Sequence, residues 1–239
     1  MKVKVFGLDV SSESLNCLPP KIWRAVMLWI YGLPVTQYVV KDIGVTPAHE
    51  ITDIISTKLQ KSPAGIVVRT VAMEDKKRTP YFWIKEAGDI NSVVAAVFQE
   101  KQPYLMAFAP KATPAKASGY VVGRYILEPN GARALEFIPG AIEPRKLEKI
   151  SAISAEYGLI RKGVGHAFKI IKGTTDNYPY EAIIGEFLRH EEKLSFLKKN
   201  VLKEKASRCC LCVEFTYWGS NSLEFHDFDF RNDIVYFSQ

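Results

Sequence analysis

The sequence predicts an α+β fold with mostly antiparallel sheets, and three observations predict it. Short apolar/polar alternating runs recur from end to end and are joined by turn-rich connections, amphipathic helical stretches lie among them, and there is no internal repeat. The 239 residues, 47% of them hydrophobic, allow one large domain or two modest ones. A loose Ala/Lys/Pro stretch near 100–118 is the best candidate boundary, dividing a half at 1–105 from a half at 106–239.

The elements follow in order. Residues 1–8 alternate as a strand, and "LPPKIWRAVMLWIYGLP" reads as a helix. Pro20 suits its first turn, Gly32 its stop, and Ile22, Val26 and Ile30 recur on one face. "TQYVVKDI" is the next strand. "VTPAHEITDIISTKLQKS" is a second helix, with Thr46 as N-cap, Pro47 at the first position, and Ile51, Ile54, Ile55 and Leu59 as its stripe. "AGIVVRTVAM" and "YFWIKEAG" are strands flanking a charged turn. "DINSVVAAVFQEK" is a short helix capped by Asp89 or Asn91, and "PYLMAFAP" returns to the sheet.

In the second half, "GYVVGRYIL" and "RALEFIPG" flank an Asn-Gly turn, a strong hairpin signal. "EPRKLEKISAISAEYG" reads as a short helix with a connection, and "KGVGHAFKIIKG" as a glycine-flanked strand. The segment from 178 to 205 is a long amphipathic helix with a solvated lysine face. Strands near 208–218, 222–230 and 233–238 close the chain, and the helices are expected on one face of the sheets.

Composition narrows the function classes. No stretch of about 18 apolar residues exists, so no transmembrane helix is expected. "MKVKVFGLDV" lacks the apolar core of a signal peptide, so a cytoplasmic location is expected. Cys17, Cys209, Cys210 and Cys212 read as small buried hydrophobes, and scattered histidines argue against a zinc site. The net charge of +6 suits phosphate-bearing partners, nucleotide or nucleic acid.

Three features carry candidate chemistry. Arg69 lies inside an apolar strand, where a guanidinium is costly unless paired. It is either an ion-pair member, an exposed strand end, or a bidentate fork for phosphate. Lys21 opens a helix, where the aligned backbone dipoles favour an anion and disfavour a lysine. It is either a snorkelling surface residue or a phosphate ligand. In "CLCVEFTYWGSNSLEFHDFDFRND", Glu214 shares a strand face with Cys210, Cys212 and Thr216. By alternation Asp227 and Asp229 share one with Leu223 and Phe225. Acids are depleted in strands. Three carboxylates gathered on one hairpin face would suit Mg²⁺ bridging to nucleotide phosphate. The competing reading is an edge hairpin whose acids prevent aggregation.

Taken in order, these pieces resemble the ATP-grasp nucleotide-binding domain, in the version at the N-terminus of pyruvate phosphate dikinase and phosphoenolpyruvate synthase. Lys21 and "YGLPV" are similar to that family's phosphate-binding lysine and the segment after it, and "VVRTVAMED" to its arginine-bearing strand with Arg69. "GYVVGRYI" resembles the strand beside the adenine pocket, which implicates Arg124. "VEFTYWGSNSLEFHDFDF" resembles its metal-facing ending, with Glu214 and one of Asp227 or Asp229.

The chain departs from the pattern at Leu18–Pro19–Pro20, where the family has glycines, and in "RTVA" for "RSSA". No swivelling phosphohistidine domain is visible, so a free-standing module is expected. The resemblance implies two α+β halves enclosing a nucleotide cleft, ATP and Mg²⁺ as cofactors, and phosphorylation or ligation of an unidentified small-molecule acceptor. Two other classes compete: a basic nucleic-acid-binding module with Tyr104, Phe108, Tyr120 and Tyr125 on its surface, and an inactive ATP-grasp scaffold. No common nucleic-acid-binding motif accompanies the aromatics.

Overall fold

The computed structural model describes residues 2–74, 79–110, 121–129, 133–139, 158–162, 169–172, 180–203, 206, 208–218 and 222–231. Contacts divide the chain into two compact units, Met1–Val26 with Thr36–Thr113, and Met27–Val35 with Pro114–Gln239.

In the first unit the N-terminal alternation forms a hairpin rather than one strand. β1 (Val3–Val5) pairs with β2 (Leu8–Val10), because Phe6 and Gly7 both take positive φ and reverse the chain. A single-turn helix α1 (Ser12–Leu15) follows, closed by a reciprocal cap between Ser11 and Ser14. α2 (Pro20–Ile30) starts at the expected proline. β3 (Val39–Asp42), β4 (Ile66–Val71), β5 (Tyr81–Ile84) and β6 (Tyr104–Phe108) form an antiparallel sheet in the order β3-β6-β4-β5.

α3 (Ala48–Gln60) and α4 (Ile90–Gln99) cover one face of that sheet, burying Ile51, Ile55, Val93 and Val97 against Ile66, Val68 and Leu105. The β1–β2 hairpin and the first turns of α2 cover the other, where Ile22, Ala25 and Val26 meet Val40, Val71 and Met106. Helices therefore lie on both faces, against expectation. A strand as apolar as β4 needs cover on both sides. Pro47, not Thr46, is the N-cap of α3, in extended conformation and with no side-chain hydrogen bond. Asp89 caps α4 without a side-chain bond, after a 3₁₀ turn at Ala87–Asp89.

The second unit holds a six-stranded antiparallel sheet in the order β10-β9-β8-β7-β11-β12. Its strands are β7 (Val121–Leu127), β8 (Arg133–Pro139), β9 (Gly158–Lys162), β10 (Lys169–Lys172), β11 (Cys210–Tyr217) and β12 (Leu223–Arg231). β9 was not anticipated as a strand. The Asn130–Gly131 turn, the helix expected from 143 onward and the strand expected at 233–238 lie outside the described residues.

α5 (Tyr180–Leu202) packs on one face through Phe187, whose ring stacks on Tyr125 at 4.5 Å and meets Phe215 and Phe225 edge-on. An ion pair from Arg133 on β8 to Glu191 adds a second tie. Its lysines do not all face water: Lys198 is buried, donating to the carbonyls of Leu127 and Glu128. Burial pushes that ammonium's pKa down. Cys209, Cys210 and Cys212 are buried as expected, whereas Cys17 is exposed. Among the described residues no helix is long and apolar enough to cross a membrane.

Candidate functional site

Lys21 and Arg69 belong to the first unit; Arg124, Glu214, Asp227 and Asp229 belong to the second. Each group is built by its own unit.

Arg69 occupies the middle of its sheet, opposite Tyr81 on β5 and Met106 on β6. Strand alternation puts it on the Val71 and Met106 face, the one covered by α2. It is half-buried; its Nη2 donates to Thr79 Oγ1 at 3.5 Å, and Thr79 donates in turn to the Thr70 carbonyl at 2.5 Å. Its Nε is buried without a hydrogen-bond partner among the described residues. A guanidinium held in an apolar strand with donor capacity unspent is suited to an oxyanion. Lys21 stands half-buried in the first turn of α2, which carries no acidic residue. Positive charge is thereby concentrated at a helix start, where backbone N–H groups also point outward.

In the second unit the register makes a row of charge across three strands. Asp227 on β12 lies opposite Glu214 on β11, and Glu214 lies opposite Arg124 on β7. Arg124 in turn pairs with the position of Glu136 on β8.

The face on which this row stands differs from the one alternation predicts. The pairing shifts between Glu214 and Phe215, whose partners are Asp227 and Phe225, so His226 is inserted as a β-bulge. The bulge reverses the strand's phase. Leu223, Phe225, Phe228 and Phe230 share one face, and Phe225 meets Phe187 of α5 there. Glu224, Asp227 and Asp229 fall on the other, with Glu214 and Arg124. Asp227 and Asp229 therefore do not share a face with Leu223 and Phe225. The sequence carried the signal: the apolar spacing in "LEFHDFDF" is two, then three, then two.

The bulge also reorganises the sheet edge. β12 is the last strand of its sheet. The Phe225 N–H donates to the Pro34 carbonyl at 2.8 Å, Phe228 N–H to Asp227 Oδ1 at 2.9 Å, and Phe230 N–H to Asp229 Oδ1 at 2.8 Å. These three donors are thus satisfied within the chain, which makes the edge a poorer template for another strand.

Asp229 lies opposite Cys212, and its other oxygen is 3.6 Å from Arg231 Nε. The three acids do not converge: among the described residues no three His, Cys, Asp or Glu side chains form a metal-binding group. Glu214 and Asp227 remain as a directly opposed pair. Two residues that sequence reasoning passed over lie in the same two-strand segment of the chain: His226 in the bulge and Trp218 just after β11. His226 Nε2 is hydrogen-bonded to Thr216 Oγ1 at 2.5 Å, and Trp218 Nε1 donates to the buried Glu224 carboxylate at 2.9 Å.

The aromatics expected on a nucleic-acid-binding surface are not presented that way. Tyr125 is 1% exposed beneath α5, and Tyr104 and Phe108 pack against the first unit's core; Tyr120 lies outside the described residues.

No protein-family model and no curated protein matches the sequence. Solved structures do match. The D-cycloserine synthetase DcsG aligns with a TM-score of 0.51 at 10% identity, over 88% of this chain and 61% of that one. The D-alanine-D-alanine ligase from Coxiella burnetii aligns at 0.47 and 13% identity, over 88% and 47%. The ATP-grasp ligase PsnB aligns at 0.41 and 10%, over 91% and 54%. The chain thus spans between about half and three fifths of the length of these proteins. What the likeness to the synthetase carries is the fold alone, an α+β architecture with antiparallel sheets.

Proposed function

We propose that the chain is an ATP- and Mg²⁺-dependent enzyme of ATP-grasp type that phosphorylates or ligates a small-molecule acceptor. The observation that carries this reading is the row Asp227–Glu214–Arg124, in register on one sheet face. Two carboxylates side by side repel each other, and a bound cation removes that cost. Mg²⁺ takes one or two protein carboxylates and completes its shell with water and phosphate oxygens, so the pair fits it as donor set. Arg124 beside them supplies a planar fork for the phosphates that such a cation accompanies.

In this reading Glu214 and Asp227 hold the metal, and Asp229 guards the strand edge. Bound Mg²⁺ would neutralise charge on the phosphate oxygens as it develops. Arg69 and Lys21 are proposed as phosphate-binding side chains. Their part is to bind and orient, since phosphoryl transfer depends on positioning and charge stabilisation more than on covalent steps by the protein. The finer likeness to the pyruvate phosphate dikinase and phosphoenolpyruvate synthase domain is supported by "YGLPV", "VVRTVAMED" and the acid-bearing ending.

The test is thermal unfolding with ATP and Mg²⁺ together and separately. A ligand that binds only the folded state raises the melting temperature by mass action, and the rise is expected only when both are present. No rise with any nucleotide, alongside salt-dependent oligonucleotide binding, would replace this reading with a nucleic-acid one. Binding without turnover across a panel of carboxylate acceptors would leave an ATP-binding scaffold.

A further inference from the structure

Resting on the proposed carboxylate pair, we infer that His226 is a positioning residue for it: the imidazole inserted at the β12 bulge is tied to Thr216 and so holds Asp227 opposite Glu214. The bulge places His226 between the Phe215–Phe225 pair and the Glu214–Asp227 pair. An inserted residue takes no part in the regular ladder, so backbone bonding alone leaves its neighbourhood weakly specified.

The 2.5 Å bond from His226 Nε2 to Thr216 Oγ1 supplies the missing restraint. Thr216 is 4% exposed on β11, two residues from Glu214, and His226 immediately precedes Asp227. The bond therefore links the two carboxylate-bearing strands beside the point where their charges repel. The Asp227 carboxylate itself accepts from the Phe228 N–H through Oδ1. The backbone beside Asp227 is thus tied to β11 through His226 while its carboxylate is held by Phe228, and loss of a bond that orients a metal ligand weakens metal affinity by about tenfold or more.

The experiment is a titration of the purified full chain with Mn²⁺ alone, read by the electron paramagnetic resonance of the free ion. His226→Ala and Thr216→Val are each expected to weaken Mn²⁺ binding by about tenfold. Melting temperatures in chelator should stay near that of the unsubstituted protein. His226→Gln is expected to restore binding to within a few-fold, because its amide can donate to or accept from the Thr216 hydroxyl. Unchanged Mn²⁺ affinity in His226→Ala overturns the inference, as does an equal loss in His226→Gln. Should His226→Ala fail to fold, Thr216→Val decides alone, and unchanged affinity there overturns it. If the unsubstituted chain binds Mn²⁺ with the expected variant pattern but no ATP, the enzyme reading fails and the positioning role stands. If it binds no Mn²⁺, both fall.

Discussion

Glu214 and Asp227 face each other at one register position of β11 and β12, and Arg124 is Glu214's partner on the other side. Like charges directly opposite one another destabilise a sheet. Asp227→Asn removes the repulsion yet keeps an acceptor oxygen for the Phe228 N–H. Its metal-free melting temperature is expected to hold or rise slightly, while the stabilisation by Mg²⁺ with ATP is lost. A lower metal-free melting temperature with the nucleotide response intact would show that Asp227 serves the edge alone.

Arg69 is the costliest residue of β4 by composition. Its Nε is buried without a hydrogen-bond partner among the described residues, a desolvation cost that an apolar side chain of similar length does not carry. Arg69→Met is therefore expected to unfold no earlier than the native protein. Its ATP-dependent turnover should fall by about 2–4 kcal/mol of transition-state stabilisation. Calorimetry and steady-state kinetics on the same preparation separate the two effects.

Gly65, just before β4, has φ of +87°, and a Cβ there would lie 2.6 Å from the Ile84 carbonyl oxygen and 2.7 Å from Trp83 Nε1. That indole nitrogen donates to the Ala64 carbonyl, so it cannot withdraw without breaking a bond. Gly65→Ala is expected to destabilise by about 1–3 kcal/mol. Gly88→Ala meets nothing within 4 Å and is expected to be neutral or mildly stabilising. Urea unfolding of the two variants checks the contrast.

His190 on α5 is half-buried against Phe225, with Nδ1 buried and unbonded among the described residues. Burial holds its pKa below the usual 6.5; Lys193 and Arg189 add to the lowering and Glu186 opposes it. The unfolded chain then binds the proton more readily than the folded one. Stability should fall as pH drops below 6.5 and level off beneath the lowered folded value. His190→Gln is expected to remove this component, leaving a flatter profile of melting temperature between pH 5 and 7 than the native chain shows, about half a pH unit or more either side of the imidazole's ordinary value.

Much of the fold was legible because its signals are local. The β-branched run at 64–73, the Pro20 start of α2 and the long amphipathic stretch of α5 each declare an element within one window. Strand β9 was missed because "GLIRK" is short and carries two cations. Thr46 carries the hydroxyl preferred at a cap, but Pro47 in extended conformation sets the start at Ala48. In the candidate site, the residue types were legible and their grouping was not. Asp227 and Asp229 looked equivalent until the register set one opposite Glu214 and the other opposite Cys212 beside Arg231.

The sequence by itself determined an α+β chain, the order of most of its elements and the acidic character of its last two described strands. Tertiary structure decided which charges meet. β7 and β11 are far apart in the chain yet adjacent in the sheet, so Arg124 reaches Glu214 only through a non-local pairing that no local periodicity encodes. The face shown by Asp227 hung on one inserted residue, because side chains in a strand repeat every two positions and a single insertion exchanges the two faces.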